Sequence, residues 1–270
     1  MIHPPEPAAP RLTGLHVYPI KSAGGFAPPA WEVGALGLRY DRRWMVVDGV
    51  GRMLTQRSHP RLTQVRPAIG ADCLRIEANG MPALELPLEP APAVTLPVTI
   101  WDDACLGTWT GERTARWFSE LLEIDCSLVH VAEPNARTVD PNYAPPGHRV
   151  GFADAFPFLL ISEASLADLN RRLDAPLPMN RFRPNLVING VEPFGEDRLG
   201  AFAIGGMTFA AVKPCDRCVV TTTDQVTGER GVEPLRTLAT FRRSNGKVLF
   251  GQNVIHTGTG RLAVGDPLLV

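Results

Sequence analysis

Short runs of alternating apolar and polar residues, separated by glycines and prolines, dominate the first half of the chain. The run LHVYPIKS places Leu15 and Val17 on one face of an extended segment and predicts a strand. RWMVVDGVGRMLTQR predicts a hairpin that turns at Asp48-Gly49. CLRIEANGMPALEL carries an Asn-Gly turn signal, since both turn positions must accept a positive φ. AVTLPVTIWDD adds another strand, so residues up to about 127 are expected to be mostly β.

One segment of this half has helical spacing instead. TGERTARWFSELLEI pairs Trp117 with Leu121 and Phe118 with Leu122 at i,i+4. Thr110 stands where an N-cap is needed, because its hydroxyl is suited to accept a hydrogen bond from a free backbone N–H of the first turn. We therefore expect a helix that begins after Thr110 and buries these four apolar side chains.

The second half begins with a Pro-rich segment, 133–149, whose composition is typical of a loop. In PFLLISEASLADLNRRL an apolar run reaches Ser162, which is expected to N-cap a helix lined by Leu166, Leu169 and Leu173. PNLVING predicts a buried strand, AFAIGGMTFAAVKP a hairpin turning at Gly205-Gly206, and RLAVGDPLLV a closing strand. The pattern as a whole predicts an α+β fold dominated by β structure, in two parts.

Composition and charge exclude several classes of protein. The chain has 270 residues with a formal net charge of -1, so no overall field attracts nucleic acid or an anionic membrane. No run of 18 apolar residues predicts a membrane span, and the N-terminus lacks a signal-peptide pattern. Five cysteines in no framework spacing are expected to be free thiols, which favours a cytoplasmic location. Motifs of phosphate-binding loops and serine hydrolases are missing.

The pair Cys215 and Cys218, in VKPCDRCVVTTT, is the strongest chemical signal of the sequence. A structural zinc site needs four ligands, whereas this knuckle has no second pair and His256 would have to join another distant residue. Thiol–disulfide exchange favours a helix N-terminus, whereas VVTTT is typical of a strand. A pair of buried thiols with a purely structural role also stays open.

Several segments in a fixed order resemble proteins of the MOSC-domain family. The C-terminal signature consists of KPCDRCVVTTTDQVTGERG, EPLRTLATFRR, FGQNVI and VGDPLLV, and PFLLISEASLADLNRRL and NRFRPNLVING precede it. LHVYPIKSAGG and LRYDRRWMVVD resemble the β-barrel segment that comes before MOSC domains. The resemblance extends from about Leu12 to Val270. It implies an N-terminal MOSC β-barrel domain over 1–127 and a MOSC β-barrel with a few flanking helices over 128–270.

The resemblance also implies a bound molybdenum cofactor, Mo-molybdopterin, and the residues that hold it. Cys218 matches the metal-ligating cysteine of the family, and a soft thiolate suits a metal already held by sulfur. Cys215 would be a neighbour that tunes the sulfur environment, although the sequence leaves open which cysteine faces the metal. Asp154 matches a carboxylate near the metal that would pass protons if burial raised its pKa. The residues that match cofactor-contacting positions are Lys21, Ser22, Arg42, Arg183 and Asn185.

The activity implied by the resemblance is reduction of N-hydroxylated compounds, such as hydroxylamines and amidoximes. The sequence contains no Cys-x4-Cys-x2-Cys run typical of a [2Fe–2S] domain. Electrons are therefore expected from a separate ferredoxin, cytochrome or flavoprotein reductase. The alternative is a molybdenum-cofactor carrier or sulfur-handling protein without turnover of its own, since MOSC modules also occur in sulfurases.

Overall fold

A computed structural model describes residues 9–90 and 94–270, and in those residues 20 strands and three α-helices are present. The elements up to residue 130 are β1 (Arg11–Leu15), β2 (Ala30–Gly34), β3 (Gly37–Leu38), β4 (Trp44–Asp48), β5 (Arg66–Ile69), β6 (Cys73–Glu77), β7 (Leu84–Pro87), β8 (Thr95–Ile100), β9 (Asp103–Trp109), α1 (Glu112–Leu122) and β10 (Cys126–His130).

The later elements are β11 (Arg137–Thr138), β12 (Arg149–Val150), β13 (Phe158–Ser162), α2 (Glu163–Asn170), β14 (Leu186–Asn189), β15 (Ala201–Ile204), β16 (Met207–Asp216), α3 (Leu235–Phe241), β17 (Arg243–Ser244), β18 (Lys247–Thr257), β19 (Gly260–Ala263) and β20 (Leu268–Leu269). The predicted β-dominated α+β class is confirmed.

The largest sheet is a nearly closed barrel with the strand order β1-β14-β13-β18-β16-β15-β20 and β17 added to β18. Its two end strands meet, because the amide of Leu12 donates to the carbonyl of Asp266 at 2.9 Å and that of Leu268 to Pro10 at 2.8 Å. β1 lies antiparallel to β14, and β2 lies antiparallel to β19. Strands from both sides of the expected domain boundary at 127/128 therefore pair with each other. The boundary itself stays a prediction.

A second group of strands and α1 build the N-terminal core. The sheet β4-β10-β9-β8 and the meander β5-β6-β7 surround a hydrophobic cluster against which α1 packs. Trp117, Phe118, Leu121 and Leu122 are all buried there, as their spacing predicts. The expected Thr110 cap is wrong, since α1 starts one residue later, after Gly111. The Thr110 hydroxyl donates to the Leu128 carbonyl of β10 at 2.9 Å instead.

The predicted Ser162 cap of the second helix and the glycine hairpin are confirmed, whereas the helix is shorter than predicted. The hydroxyl of Ser162 accepts a hydrogen bond from the amide of Ser165 at 3.1 Å and caps α2. The helix ends at Asn170, so Leu173 lies beyond it. Gly205 and Gly206 join β15 to β16 with φ values of 58° and 77°, which glycine adopts without steric cost.

Two segments that were predicted to be strands differ in the structure. β1 ends at Leu15, and Val17 makes only an isolated bridge to Phe26, although its side chain is buried. VVTTT after Cys218 is a 3₁₀ turn rather than a strand. The hydroxyl of Thr221 donates to the Cys218 carbonyl at 2.9 Å, and that of Thr222 to Val219 at 2.8 Å. These local side-chain bonds favour a turn over a strand ladder.

No helix in the described ranges, 9–90 and 94–270, has the length and apolar character needed to cross a bilayer.

Truncating Phe118 tests the packing of α1. Phe118→Ala should lower the free energy of unfolding by about 3–5 kcal/mol, because a fully buried aromatic side chain leaves a cavity. Urea unfolding followed by circular dichroism measures this. Glu120→Ala, on the exposed face of the same helix, is the matched control and should change the free energy by less than about 0.5 kcal/mol. Equal effects of the two substitutions would contradict the assigned packing.

Candidate functional site

One cavity contains all eight residues that the sequence singled out. It lies where the loops after β1 and β3 meet the segment before β13, the turn before β14 and the end of β16. The predicted residues that line it are Lys21, Ser22, Arg42, Asp154, Arg183, Asn185, Cys215 and Cys218. They come from five segments spread over almost 200 positions of the chain, and only the tertiary structure brings them together.

Three of these residues adopt left-handed backbone conformations. The φ angles are 64° at Ser22, 47° at Arg42 and 56° at Arg183. This region is unfavourable for residues with a side chain, and non-glycine residues held there concentrate at functional sites. Backbone hydrogen bonds hold two of the turns, from Arg42 to the Tyr18 carbonyl at 2.8 Å and from Arg183 to the Asn180 carbonyl at 3.2 Å. The fold therefore maintains a costly backbone where the cavity wall is formed.

Two arginines flank a buried tyrosine at the cavity wall. The guanidinium carbons of Arg42 and Arg183 lie 4.4 and 4.3 Å from the centre of the Tyr18 ring. Burial lowers the pKa of Arg183 to about 10 and raises the pKa of Tyr18 to about 12. Arg42 is paired with the buried Asp41 at 2.5 Å, whose other oxygen accepts the Tyr18 amide at 2.8 Å. The buried carboxylate of Asp41 thus pairs directly with Arg42.

Asn185 lines the cavity and also holds neighbouring segments in place through its side-chain amide. Its side-chain oxygen accepts hydrogen bonds from Arg42 at 3.0 Å and from the amide of Leu159 at 3.2 Å. Its side-chain nitrogen donates to the His16 carbonyl at 3.1 Å, and the residue is almost fully buried. Asn185 therefore ties β13 and the loop after β1 to the cationic wall.

Lys21 and Asp154 form an ion pair at the mouth of the cavity. The ammonium of Lys21 lies 2.5 Å from the Asp154 carboxylate and 2.9 Å from the Phe152 carbonyl. The Lys21 side chain is 6% exposed and that of Asp154 62%. Burial lowers the pKa of Lys21, although Asp154 opposes the effect.

The carboxylate of Asp154 is ionised at neutral pH. Loss of solvation beside the cavity wall would raise its pKa even though the side chain is largely exposed, but the Lys21 ammonium and its hydrogen bond hold the pKa well below the usual range of a carboxyl group. Asp154 was expected to pass protons only if its pKa were raised. While Lys21 is charged, that pKa is lowered instead. The role of Asp154 stays a prediction.

Each cysteine of the pair accepts a hydrogen bond from an arginine. Arg57 donates to the Cys218 sulfur at 3.0 Å, and Arg217 to the Cys215 sulfur at 2.9 Å. Burial raises the pKa of the Cys215 thiol, with Arg217 acting in the opposite direction. Both thiols line the cavity, so which of them faces a metal stays a prediction.

His256 lies away from the cysteine pair, on β18. Its ring packs edge-on against Phe158, and its Nε2 lies 2.9 Å from the Gly34 carbonyl. Within the described part of the chain, no three His, Cys, Asp or Glu side chains cluster as a protein-only metal site would require. A metal in this cavity would need ligand atoms that the protein does not supply by itself.

Three further residues belong to the site although the sequence did not single them out for it. Arg57 stacks on Trp101 at 4.3 Å from the ring centre, and Trp101 Nε1 donates to Asp154 at 3.3 Å. Arg217 also donates to the Phe182 carbonyl at 2.6 Å and lines the cavity. Arg57 stands in an ordinary polar segment and Trp101 at a hairpin turn. No local pattern marks either one.

Two family models match the chain. The MOSC N-terminal beta barrel domain matches residues 9–125, and the MOSC domain matches residues 147–269. The chain therefore belongs to the MOSC-domain family, as its motifs indicate.

Curated relatives carry two kinds of name. Mitochondrial amidoxime-reducing component 1 of Homo sapiens is 35% identical, over 94% of this chain and 81% of that protein. Molybdenum cofactor sulfurase of Oryza sativa subsp. japonica is 33% identical over 89% of this chain, which spans only 32% of that protein. The solved structure of the YUAD protein from Bacillus subtilis is 11% identical, covers 96% of this chain and 94% of that one, and has a TM-score of 0.45.

Replacing Asn185 should destabilise the whole fold. Asn185→Leu leaves the Leu159 amide and the His16 carbonyl without their side-chain partner and removes a bond from a buried arginine. We expect a loss of about 2–4 kcal/mol in the free energy of unfolding, measured in urea. Ser22→Ala is the matched control, because the Ser22 hydroxyl makes no hydrogen bond within the described residues. A stability of Asn185→Leu equal to that of Ser22→Ala would contradict the positioning role.

The ion pair of Lys21 predicts a pH-dependent stability. The pKa of Asp154 is lowered in the folded state, so its contribution is fully present above the unfolded value of 3.8 and is lost as the pH falls below it. Asp154→Asn should therefore cost stability at pH 7, by no more than about 1 kcal/mol because the carboxylate is partly exposed. In urea unfolding, the gap between wild type and variant should narrow steadily as the pH falls below 3.8 and should close only once the folded-state carboxyl group is itself protonated. A gap that widens on acidification would contradict the pairing.

Proposed function

We propose that this protein binds a molybdenum cofactor in the cavity and reduces N-hydroxylated compounds. One observation carries the proposal: buried cations and a pair of thiols line the same cavity in a chain of the MOSC family. Relatives named amidoxime-reducing component support the reductase activity. The family supports the cofactor.

The charge of the cavity suits a ligand with a phosphate. Lys21, Arg42 and Arg183 carry three positive charges, which the carboxylates of Asp41 and Asp154 balance only in part. Arginine binds phosphate with two parallel hydrogen bonds and also stacks on planar rings, as a pterin requires. Within the described residues, the Tyr18 hydroxyl and Arg217 Nε are buried polar atoms without a partner. The protein thus has spare cationic and hydrogen-bonding capacity for an anionic, planar group.

The roles of the residues follow from their chemistry. The bound cofactor would supply two-electron redox chemistry at its metal. Cys218 would ligate the metal through a soft thiolate, and Arg57 holds that sulfur by its hydrogen bond. Cys215 would tune the sulfur environment. Lys21, Ser22, Arg42 and Arg183 would contact the phosphate and the pterin, with Asn185 holding Arg42.

Reduction of an amidoxime breaks the N–O bond, consumes two electrons and two protons, and releases the amidine and water. Lys21 is the better proton donor of the ion pair, since burial lowers its pKa while Asp154 is ionised. Asp154 would then act by holding the ammonium of Lys21 in place. The electrons would come from a separate electron-transfer protein, namely a ferredoxin, a cytochrome or a flavoprotein reductase.

A second candidate is a cofactor carrier or sulfur-handling protein without turnover. Its support is the similarity to molybdenum cofactor sulfurases over 89% of this chain. Reduced methyl viologen as electron donor separates the two candidates. Steady oxidation of the dye with benzamidoxime supports the reductase, whereas bound molybdenum without turnover supports the carrier.

The ligand assignment is tested on protein produced in a host that makes the cofactor. Wild type should contain close to one molybdenum per chain by inductively coupled plasma mass spectrometry. Cys218→Ser should lose most of the metal and reduce turnover by at least about 100-fold, because a hydroxyl is a poor ligand for a soft site.

Cys73→Ser is the matched control, since Cys73 is a partly buried free cysteine on β6, outside the cavity. It should keep both the metal and the activity. Full molybdenum content and turnover in Cys218→Ser would contradict the assignment. Loss of both in Cys215→Ser but not in Cys218→Ser would transfer it to Cys215. Zinc in place of molybdenum would reject the proposed function itself.

A further inference from the structure

A large aromatic residue occupies a strained hairpin turn beside the cavity. β8 and β9 pair through Ile100 and Asp103, so Trp101 and Asp102 form the two-residue turn between them. Trp101 has a φ of 55° and keeps 45% of its surface exposed. Turns of this kind normally place Gly, Asn or Asp at positive φ, and a bulky side chain there is a steric outlier. The fold holds a costly conformation in order to present an indole ring at this position.

The indole contacts Asp154 directly and Cys218 through Arg57, and these are the two residues predicted to be catalytic. The Arg57 guanidinium lies 4.3 Å from the ring centre and donates to the Cys218 sulfur at 3.0 Å. Trp101 Nε1 donates to Asp154 Oδ1 at 3.3 Å, the oxygen that also accepts from Lys21. Trp101 therefore lies at the rim between the thiol side and the carboxylate side of the cavity.

A buried arginine fixes the hairpin turn against the loop that carries Asp154. Arg137 is paired with Asp103 at 2.6 Å and donates to the carbonyl of Gly151 at 3.2 Å. It also donates to the carbonyls of Ala153 and Asp154. Because one guanidinium binds both segments, the distance between the indole and the carboxylate is set by the fold. The ring itself is held by the stacked Arg57 guanidinium and by its hydrogen bond to Asp154.

We propose that Trp101 and Asp154 form a recognition lip that selects planar, conjugated substrates, a specificity that rests on the proposed reductase function. An exposed indole face binds flat conjugated groups by stacking. Asp154 Oδ2 makes no hydrogen bond within the described residues, so it is available to accept from the N–H groups of an amidine-like substrate. A ring joined to an amidoxime satisfies both features at once, and a short alkyl amidoxime satisfies only the second.

The test compares benzamidoxime with acetamidoxime in the holoenzyme, with reduced methyl viologen as donor. Trp101→Leu should lower the ratio of kcat/KM for benzamidoxime over acetamidoxime by roughly three- to tenfold, the size of one aromatic stack. Trp101→Phe keeps a flat ring without the N–H and should keep most of the ratio. An unchanged ratio in Trp101→Leu would overturn the proposal, even if kcat/KM fell for both substrates.

Leu106→Ala is the matched control. Leu106 lies on β9 of the same hairpin and is 46% exposed, close to the value of Trp101, and it is not among the residues that line the cavity. Its ratio should equal that of wild type. A fall there as large as in Trp101→Leu would mean that hairpin distortion, not stacking, controls the ratio. Melting temperatures of all three variants show whether each is folded.

Binding of the product class separates this proposal from the proposed function. Titration calorimetry of the holoenzyme with benzamidine and acetamidine needs no turnover. Benzamidine should bind more tightly to wild type, and Trp101→Leu should remove most of the difference. If no amidoxime is reduced but this difference is observed, the lip stands and the reductase function falls. If turnover is observed and the two amidines bind wild type and Trp101→Leu alike, the lip falls alone.

Discussion

Lys21, Arg42 and Arg183 lose most of their contact with water around one cavity, and each must find other partners there. Removing an ion from water costs several kcal/mol unless charges and hydrogen bonds compensate. Asp154, Asp41, backbone carbonyls and the ring of Tyr18 provide that compensation. These partners come from distant parts of the chain, so the cavity can exist only when the loops between the strands are closed around it. The charge that remains uncompensated is the basis of the proposed binding of an anionic cofactor.

Much of the architecture near the cavity serves to hold those loops. β1 joins the main sheet beside β14, which brings the loop carrying Lys21 and Ser22 to the turn carrying Arg183. Gln56 and Gln225 exchange side-chain amide hydrogen bonds at 3.0 Å, which ties the segment of Arg57 to the chain after Cys218. Strained backbone at Ser22, Arg42 and Arg183 is tolerated because these surrounding bonds determine the conformation. The stability of the barrel thus compensates for the unfavourable backbone conformations of these three residues.

Local patterns in the sequence were sufficient where the physics is local. The i,i+4 pairs of α1, the Ser162 cap and the Gly205-Gly206 hairpin depend on neighbours in the chain, and all three appear as expected. The turn after Cys218 was not predicted, because it depends on the tertiary surroundings of the segment. β-Branched residues favour strands on average, but Thr221 and Thr222 bond to carbonyls three residues back once a sheet partner is not available to them.

The sequence by itself determined the fold class, the family and the eight residues that share the cavity, because motifs preserve residue type and order. It did not reveal Arg57 and Trp101, which lie in segments without a motif and acquire their roles through stacking and contacts with Cys218 and Asp154. The sequence also could not decide whether the pKa of Asp154 is raised. Burial alone would raise that pKa, and only the tertiary structure places the Lys21 ammonium 2.5 Å away. Charge interactions depend on distance in space, which the order of residues does not contain.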